Sequence, residues 1–325
     1  MGKRSTIERQ INTILFSKQA FGESRHEAKK EMREQLGEKY QFGMSDDKIH
    51  SYDTFDTYQK ACQRFGKWLQ EEKGVGRKED IQKCKEYAKE YLQYRLDTDK
   101  VSVWTVKMER SALGKLYGET IDIQLPKRDV KNINRSRGTK EQDKHFSEKR
   151  NKDLVTIAKA TGGRRCDLAK LTPSKFFVDE NNIMWVRFNR SKGGRDRIAP
   201  VLPKYRKQIE QFLKDKDKNT RLFSKIPNKA DIHSYRASYA KGLYKTVGAN
   251  KTFKENTLGK YPERHEYKTI KDKTTGEYRT YEITSEHYVT RGENKQTFVR
   301  DDVYICTCAL GHQRLEVTVS SYLLA

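Results

Sequence analysis

The 325-residue chain has no stretch approaching the ~18 consecutive apolar residues of a membrane-spanning helix, so a helical membrane protein is excluded. Proline is scarce, with six residues, and no proline-rich linker interrupts the chain. The five cysteines are an odd number in a long chain, which argues against a disulfide scaffold and for a reducing compartment. The first five residues, Met1 to Ser5, contain no apolar run of a signal peptide, and a cytoplasmic protein is expected. No G-x-x-x-x-G-K-[ST] loop occurs, so ATP use is not indicated. Nothing repeats at a fixed period.

Basic charge is abundant. The 68 Lys and Arg against 45 Asp and Glu leave a net charge of +23, which calls for a polyanionic partner, most often nucleic acid. With 18 Tyr, 13 Phe and 3 Trp the chain is too aromatic to be disordered, and its length allows two or three domains.

Residues 1–48 mix a helical pattern (Ile7, Ile11, Ile14, Leu15) with weakly apolar sequence. They read as an N-terminal arm that orders on a partner, or equally as a plain surface helix. From Ser51 a stripe of Phe55, Tyr58, Cys62, Phe65 and Leu69 marks an amphipathic helix ended by Gly74 and Gly76. Asp80 opens a second, with Ile81, Cys84, Ala88 and Tyr91 on one face, and Ser102 is the expected N-cap of a third. Residues 49–122 therefore form a small helical domain with basic outer faces. The charged, aperiodic segment 123–145 is the expected linker.

The remainder, 146–325, forms a second domain. A helix over 148–160 stops at Thr161-Gly162-Gly163, and another runs from Arg164 to Leu171, before Pro173. Phe176–Val178, Ile183–Asn189 and Arg197–Val201 read as strands. Helices are expected over 205–214 and from Asp231 through Tyr244. Residues 248–300 are hydrophilic, with a hairpin of 267–270 and 278–283 around Thr275-Gly276. The fold class is mainly α with a small antiparallel β-sheet. Cys306, Cys308 and His312 are three soft ligands close in sequence, but no fourth lies nearby and zinc is not expected.

Four elements of this half fall in a specific order: Thr161-Gly162-Gly163-Arg164-Arg165-Cys166-Asp167-Leu168, then Ser191-Lys192-Gly193-Gly194, then His233-Ser234-Tyr235-Arg236, then Leu310-Gly311-His312 followed by Tyr322. Each is common alone; together they resemble the tyrosine recombinases, the phage-integrase superfamily. The resemblance covers residues from about 150 to 325 and, more loosely, the helical domain before them. It implies a helical (SAM-like) core-binding domain and an α+β catalytic domain closing as a C-shaped clamp on DNA. It also implies a site-specific recombinase or integrase of a bacterial mobile element that cleaves and rejoins DNA through a 3′-phosphotyrosine. No cofactor or metal is expected for this transesterification.

The expected catalytic set is Arg164, Lys192, His233, Arg236, His312 and Tyr322, with Asp167 in support. A phosphodiester gains negative charge when attacked, and two guanidiniums on its non-bridging oxygens suit that need. These are Arg164 and Arg236; Arg236 stands one helical turn after His233, so both leave the same helix face. The resemblance makes Tyr322 the nucleophile. It gives His233 a part in accepting the tyrosyl proton and Lys192 a part in protonating the departing 5′ oxygen. His312 would donate a hydrogen bond to the phosphate or position Tyr322. Further DNA contacts are expected from Arg165, Arg195, Arg197, Lys268, Lys271 and Arg279. Expected partners are a double-stranded recombination site, three further copies in a synaptic homotetramer assembled from monomers, and a directionality or DNA-bending accessory protein. No membrane is expected, and on DNA the protein would be associated with the bacterial nucleoid.

Three features depart from the family pattern. The 248–300 segment is an insertion, read as contacting DNA or a neighbouring subunit, or as inert surface elaboration. Tyr322 follows His312 by ten positions, one more than usual; one residue turns a helix face by about 100°, so a bulge or loop start before Tyr322 is required. Only three residues follow Tyr322, too few for the docking helix many relatives use, so either assembly relies on another element, such as the insertion or the N-terminal arm, or the sequence is trimmed. Two alternatives use the same fold or residues: a catalytically silent DNA-binding accessory protein, and a type IB topoisomerase-like relaxing enzyme.

Overall fold

Short polar side chains start most helices of the N-terminal half. Thr6, Ser24, Ser51 and Ser102 each accept a hydrogen bond from the backbone N–H three residues on, at 3.2–3.3 Å. Asp80 accepts from Gln82 N at 3.0 Å. Each such cap satisfies one of the donors a helix start leaves without a partner, worth about 1 kcal/mol. The helices so begun are α1 (Ile7–Ser17), α2 (Arg25–Leu36), α3 (Tyr52–Glu72) and α5 (Val103–Tyr117). Asp80 opens a 3-10 stretch, Ile81–Tyr87, that continues as α4 (Ala88–Asp97).

The computed structural model describes residues 5–37, 44, 46–126, 146–191, 194–271, 274–290 and 295–324. They are mainly helical, with three small antiparallel sheets, and divide into two compact units, one before residue 127 and one from residue 146 on. The expected linker lies mostly outside the described residues.

The first unit corrects one expectation. Ile7, Ile11 and Leu15 of α1 are not on an arm; they lie in the core with Phe55, Phe65 and Leu69 of α3 and Leu113 of α5. Gly66 permits the close approach, because a Cβ there would stand 3.0 Å from Ile7 Cγ2 and 3.1 Å from Ile11 Cδ1. Gln10 adds polar ties, donating to the carbonyls of Ser5 and Glu79 at 2.8 Å and accepting from Ile81 N at 3.1 Å. A second feature was hidden in the apolar stripe of α5. Glu109 is fully buried and accepts from Arg64 of α3 and Arg95 of α4 at 3.0–3.3 Å.

The second unit is built round α9 (Ile232–Ala249), which packs on α6 (Lys152–Thr161) and α11 (Arg300–Leu310). Asp231 caps α9 by accepting from Ser234 N at 3.0 Å. The short helix α7 (Arg165–Ala169) leads to a three-stranded sheet of β1 (Phe176–Val178), β2 (Met184–Phe188) and β3 (Arg197–Pro200), in the order β1-β2-β3. Trp185 pairs with Phe177 on one side and Pro200 on the other. After α8 (Arg206–Leu213) and α9 comes α10 (Lys251–Leu258), whose Phe253 joins the main core. The hydrophilic insertion therefore begins after α10 and not at residue 248.

That insertion holds two hairpins. The expected one pairs β4 (Tyr267–Lys271) with β5 (Tyr278–Glu282), every β5 residue being exposed. The other, of β6 (His287–Val289) and β7 (Thr297–Val299), has no counterpart in the sequence reading. Its Tyr288 and Phe298 pack against Val303, Leu315 and Val319, residues of α11 and of the chain's last turns. Arg300 fastens both hairpins to the start of α11, donating to the carbonyls of Ser285 and His287 at 2.8 Å and pairing with Glu266.

Replacing Ile11 by Ala should cost about 3 kcal/mol, as for other fully buried large-to-small changes. Thermal unfolding of the full chain would show it; a transition unmoved by I11A would mean that α1 does not share the core.

Candidate active site

Two helix C-termini build the floor of the site. Both α6 and α11 stop on a left-handed glycine, Gly162 at φ +61° and Gly311 at φ +66°. No larger residue fits either place: a Cβ on Gly162 would come within 2.4 Å of the Tyr239 ring, and one on Gly311 within 2.7 Å of Arg197 Cδ. Carbonyls at a helix end have no partners within the helix and carry the negative end of its dipole. Here three arginines take them up.

Arg164 donates through Nη2 to the carbonyls of Leu310 (2.9 Å) and Gly311 (3.2 Å), and through Nη1 to Ser191 Oγ (2.8 Å). Arg236, buried on α9, donates to the carbonyls of Gly162 and Leu310. Arg197, at the start of β3, donates to the carbonyls of Ala309 and Gly162 and to Asp167 Oδ2, the last at 2.8 Å. Residues of α6, α7, β3, α9 and α11 are thus held at one point.

Among the described residues, one carboxylate faces these three cations. Asp167 Oδ2 accepts from Arg164 N at 3.0 Å as well as from Arg197. Burial alone would raise its pKa, but the Arg197 charge and these hydrogen bonds outweigh that and hold the carboxyl below its usual range. Burial, and next the neighbouring Arg236, lower the pKa of Arg164, and the same two causes bring Arg197 down to about 10. With a pKa of about 10, Arg197 remains a cation at neutral pH. Positive charge is therefore concentrated where an anion would relieve it.

Tyr322 lies against this cluster, almost fully buried. Its hydroxyl is 3.4 Å from His233 Nδ1, its ring centroid is 5.1 Å from that of His233 and 5.1 Å from that of His312, and the Arg236 guanidinium carbon is 5.5 Å from it. The chain between His312 and Tyr322 ends in a widened turn. After α12 (Leu315–Thr318), residues Val319–Leu323 form a π-turn, closed by Leu324 N donating to the Val319 carbonyl at 3.0 Å. An i→i+5 bond spends one residue more per turn than an α-helix, and Tyr322 lies within this wider turn. His312 is neutral: burial, then the charges of Arg236, Arg164 and Arg197 and the neighbouring His233, bring its pKa down to about 3.

Five of the six expected catalytic residues thus come together: Arg164, His233, Arg236, His312 and Tyr322. Lys192 lies outside the described residues. Two expected DNA contacts need correction. Arg165 spends its guanidinium on the carbonyls of Ile226, Pro227, Asn228 and Ala230, holding the loop before α9. Arg197 is buried behind Arg164 and Arg236, with its guanidinium 4.0 Å from the Phe188 ring centroid, and orders the site from within. Arg195, Lys268 and Arg279 are exposed, and Arg279 lies 3.7 Å from Glu277. The Lys271 side chain is outside what is described. Cys306 is buried with its thiol toward the Ala240 carbonyl, and no group of three His, Cys, Asp or Glu side chains suited to a metal occurs among the described residues. The contributions of Ser191 and Arg197 escape sequence reading, because their partners lie 27 to 112 positions away.

No protein-family profile and no curated protein matches the chain. Among solved structures, the crystal structure of XerA recombinase matches at 13% identity over 92% of this chain and 94% of that one, with a TM-score of 0.28.

The depressed His312 pKa fixes a sign for acid stability. Between pH 6.5 and about 3 the unfolded chain binds a proton at His312 that the folded chain refuses, so stability falls as pH drops through that window. His312→Gln should lose less melting temperature than wild type between about pH 6.5 and pH 4. Equal losses would mean that the ring titrates normally in the fold.

Proposed function

We propose that the protein is a tyrosine-type DNA strand-transfer enzyme, a site-specific recombinase or integrase in which Tyr322 is the nucleophile. The observation that carries this reading is the placement of the Tyr322 hydroxyl 3.4 Å from His233 Nδ1, beside two arginines fixed for an anion. Tyr322 Oη attacks the phosphorus of a DNA phosphodiester while its proton passes to His233 Nδ1. The P–O5′ bond breaks, and the 5′ oxygen leaves as a hydroxyl with a proton from the donor that the resemblance assigns to Lys192. Arg164 and Arg236 hold the non-bridging oxygens, whose charge grows in the transition state. The 3′-phosphotyrosine keeps the bond energy until the 5′ hydroxyl of another strand attacks it.

The partner is duplex DNA at a recombination site, which suits the net charge of +23, with Arg195, Lys268, Lys271 and Arg279 as further contacts. Exchange takes place in a homotetramer in the cytoplasm, in the service of a mobile element.

A nicked suicide duplex carrying the recombination site, resolved on a denaturing gel, tests the chemistry. Wild type should give a covalent protein–DNA adduct and Tyr322→Phe none; no wild-type adduct, or an undiminished one with Y322F, would overturn the proposal. Supercoil relaxation without exchanged strands would point instead to a topoisomerase. Arg164→Lys keeps the charge but loses the two-pronged geometry, and adduct formation should slow by about 100-fold. A single-turnover time course measures it.

A further inference from the structure

A guanidinium has five N–H groups to donate and accepts nothing, whereas a serine hydroxyl can accept while giving its one proton elsewhere. Ser191 Oγ accepts from Arg164 Nη1 at 2.8 Å, so its own proton is free for an acceptor. Asp167 takes it. Burial works against ionisation there, but the Arg197 charge, the bonds from Arg164 N and Arg197, and one from the Ser191 hydroxyl hold the carboxyl below its usual range. Because Asp167 Oδ2 also accepts from Arg164 N at 3.0 Å, Arg164 is tied to this carboxylate at both ends, directly by its backbone and through Ser191 by its guanidinium.

Ser191 is itself a fixed anchor. It is 5% exposed, its N–H donates to the Arg195 carbonyl at 2.9 Å, and its carbonyl accepts from Gly194 N at 2.8 Å. The bonds to the Leu310 and Gly311 carbonyls both leave from Arg164 Nη2, so alone they let the planar group swing about one nitrogen. The bond from Nη1 to Ser191 stops that swing and aims the N–H groups left over, at Nε and at Nη1. We infer that Ser191 is a positioning residue that sets the Arg164 guanidinium for the scissile phosphate. This role rests on the strand-transfer reading and is exerted through Arg164, not on the reacting atoms.

Two readouts on the full-length chain test it. Without DNA, in protein labelled with 15N at arginine, the Arg164 signals are those lost in Arg164→Lys. Rotation about the Arg164 Cζ–Nη1 bond should be slow in wild type, faster in Ser191→Ala and slow again in Ser191→Thr. Free rotation in wild type, or no change in S191A, overturns the inference, and the wild-type spectrum decides even if a variant does not fold. With the suicide duplex in single turnover, S191A should form adduct about 10-fold more slowly, as for one lost hydrogen bond to a charged group. In an R164K background the same change should cost almost nothing, because the donor it acts through is gone. An undiminished wild-type rate in S191A, or a further 10-fold loss on top of R164K, overturns the inference while leaving the strand-transfer reading intact. A slowly rotating Nη1 in a protein that forms no adduct would leave the hold of Ser191 on Arg164 standing and sink the proposed function.

Discussion

The site depends on three guanidiniums converging on the carbonyl ends of two helices. Cations this close repel one another, and a single carboxylate, Asp167, cannot neutralise three. The C-terminal carbonyls of α6 and α11 supply the rest of the counter-charge as oriented dipoles, which a left-handed glycine turns outward at each end. Because α6, α9 and α11 also frame the core of this unit, the packing that folds it and the electrostatics of the site are one arrangement. Arg197 is its inner member: almost without solvent contact, it bridges Asp167 to the Ala309 carbonyl and to the Gly162 carbonyl that Arg236 also binds.

The insertion divides into parts with different duties. Hairpin β4–β5 stands in solvent, whereas β6–β7 buries Tyr288 and Phe298 against Leu315 and Val319, just ahead of Tyr322. Arg300 joins both to the start of α11, the helix whose other end forms the floor of the site. Part of what reads as surplus chain is thus a brace for the segment bearing the tyrosine.

Local rules made much of this legible. The stripe from Phe55 to Leu69 becomes α3, Ser102 caps the helix it was expected to cap, a helix starts at Asp231 as expected, and Thr275-Gly276 lies between β4 and β5. Long-range pairing was not legible. Glu109 sits in an apolar stripe of α5, and only its two arginine partners on other helices explain a carboxylate there. Arg165 and Arg197 were expected to contact DNA, yet folding brings backbone carbonyls to both. Ile7, Ile11 and Leu15 had the right period for a core helix, but an isolated amphipathic segment looks the same whether it docks or waits for a partner.

The π-turn has a geometric consequence. It winds the chain's last described residues more widely than α12, and the Tyr322 ring takes its azimuth from that wider turn. The arginine floor takes its position from two helix ends, so ring and floor are fixed by separate elements of the fold.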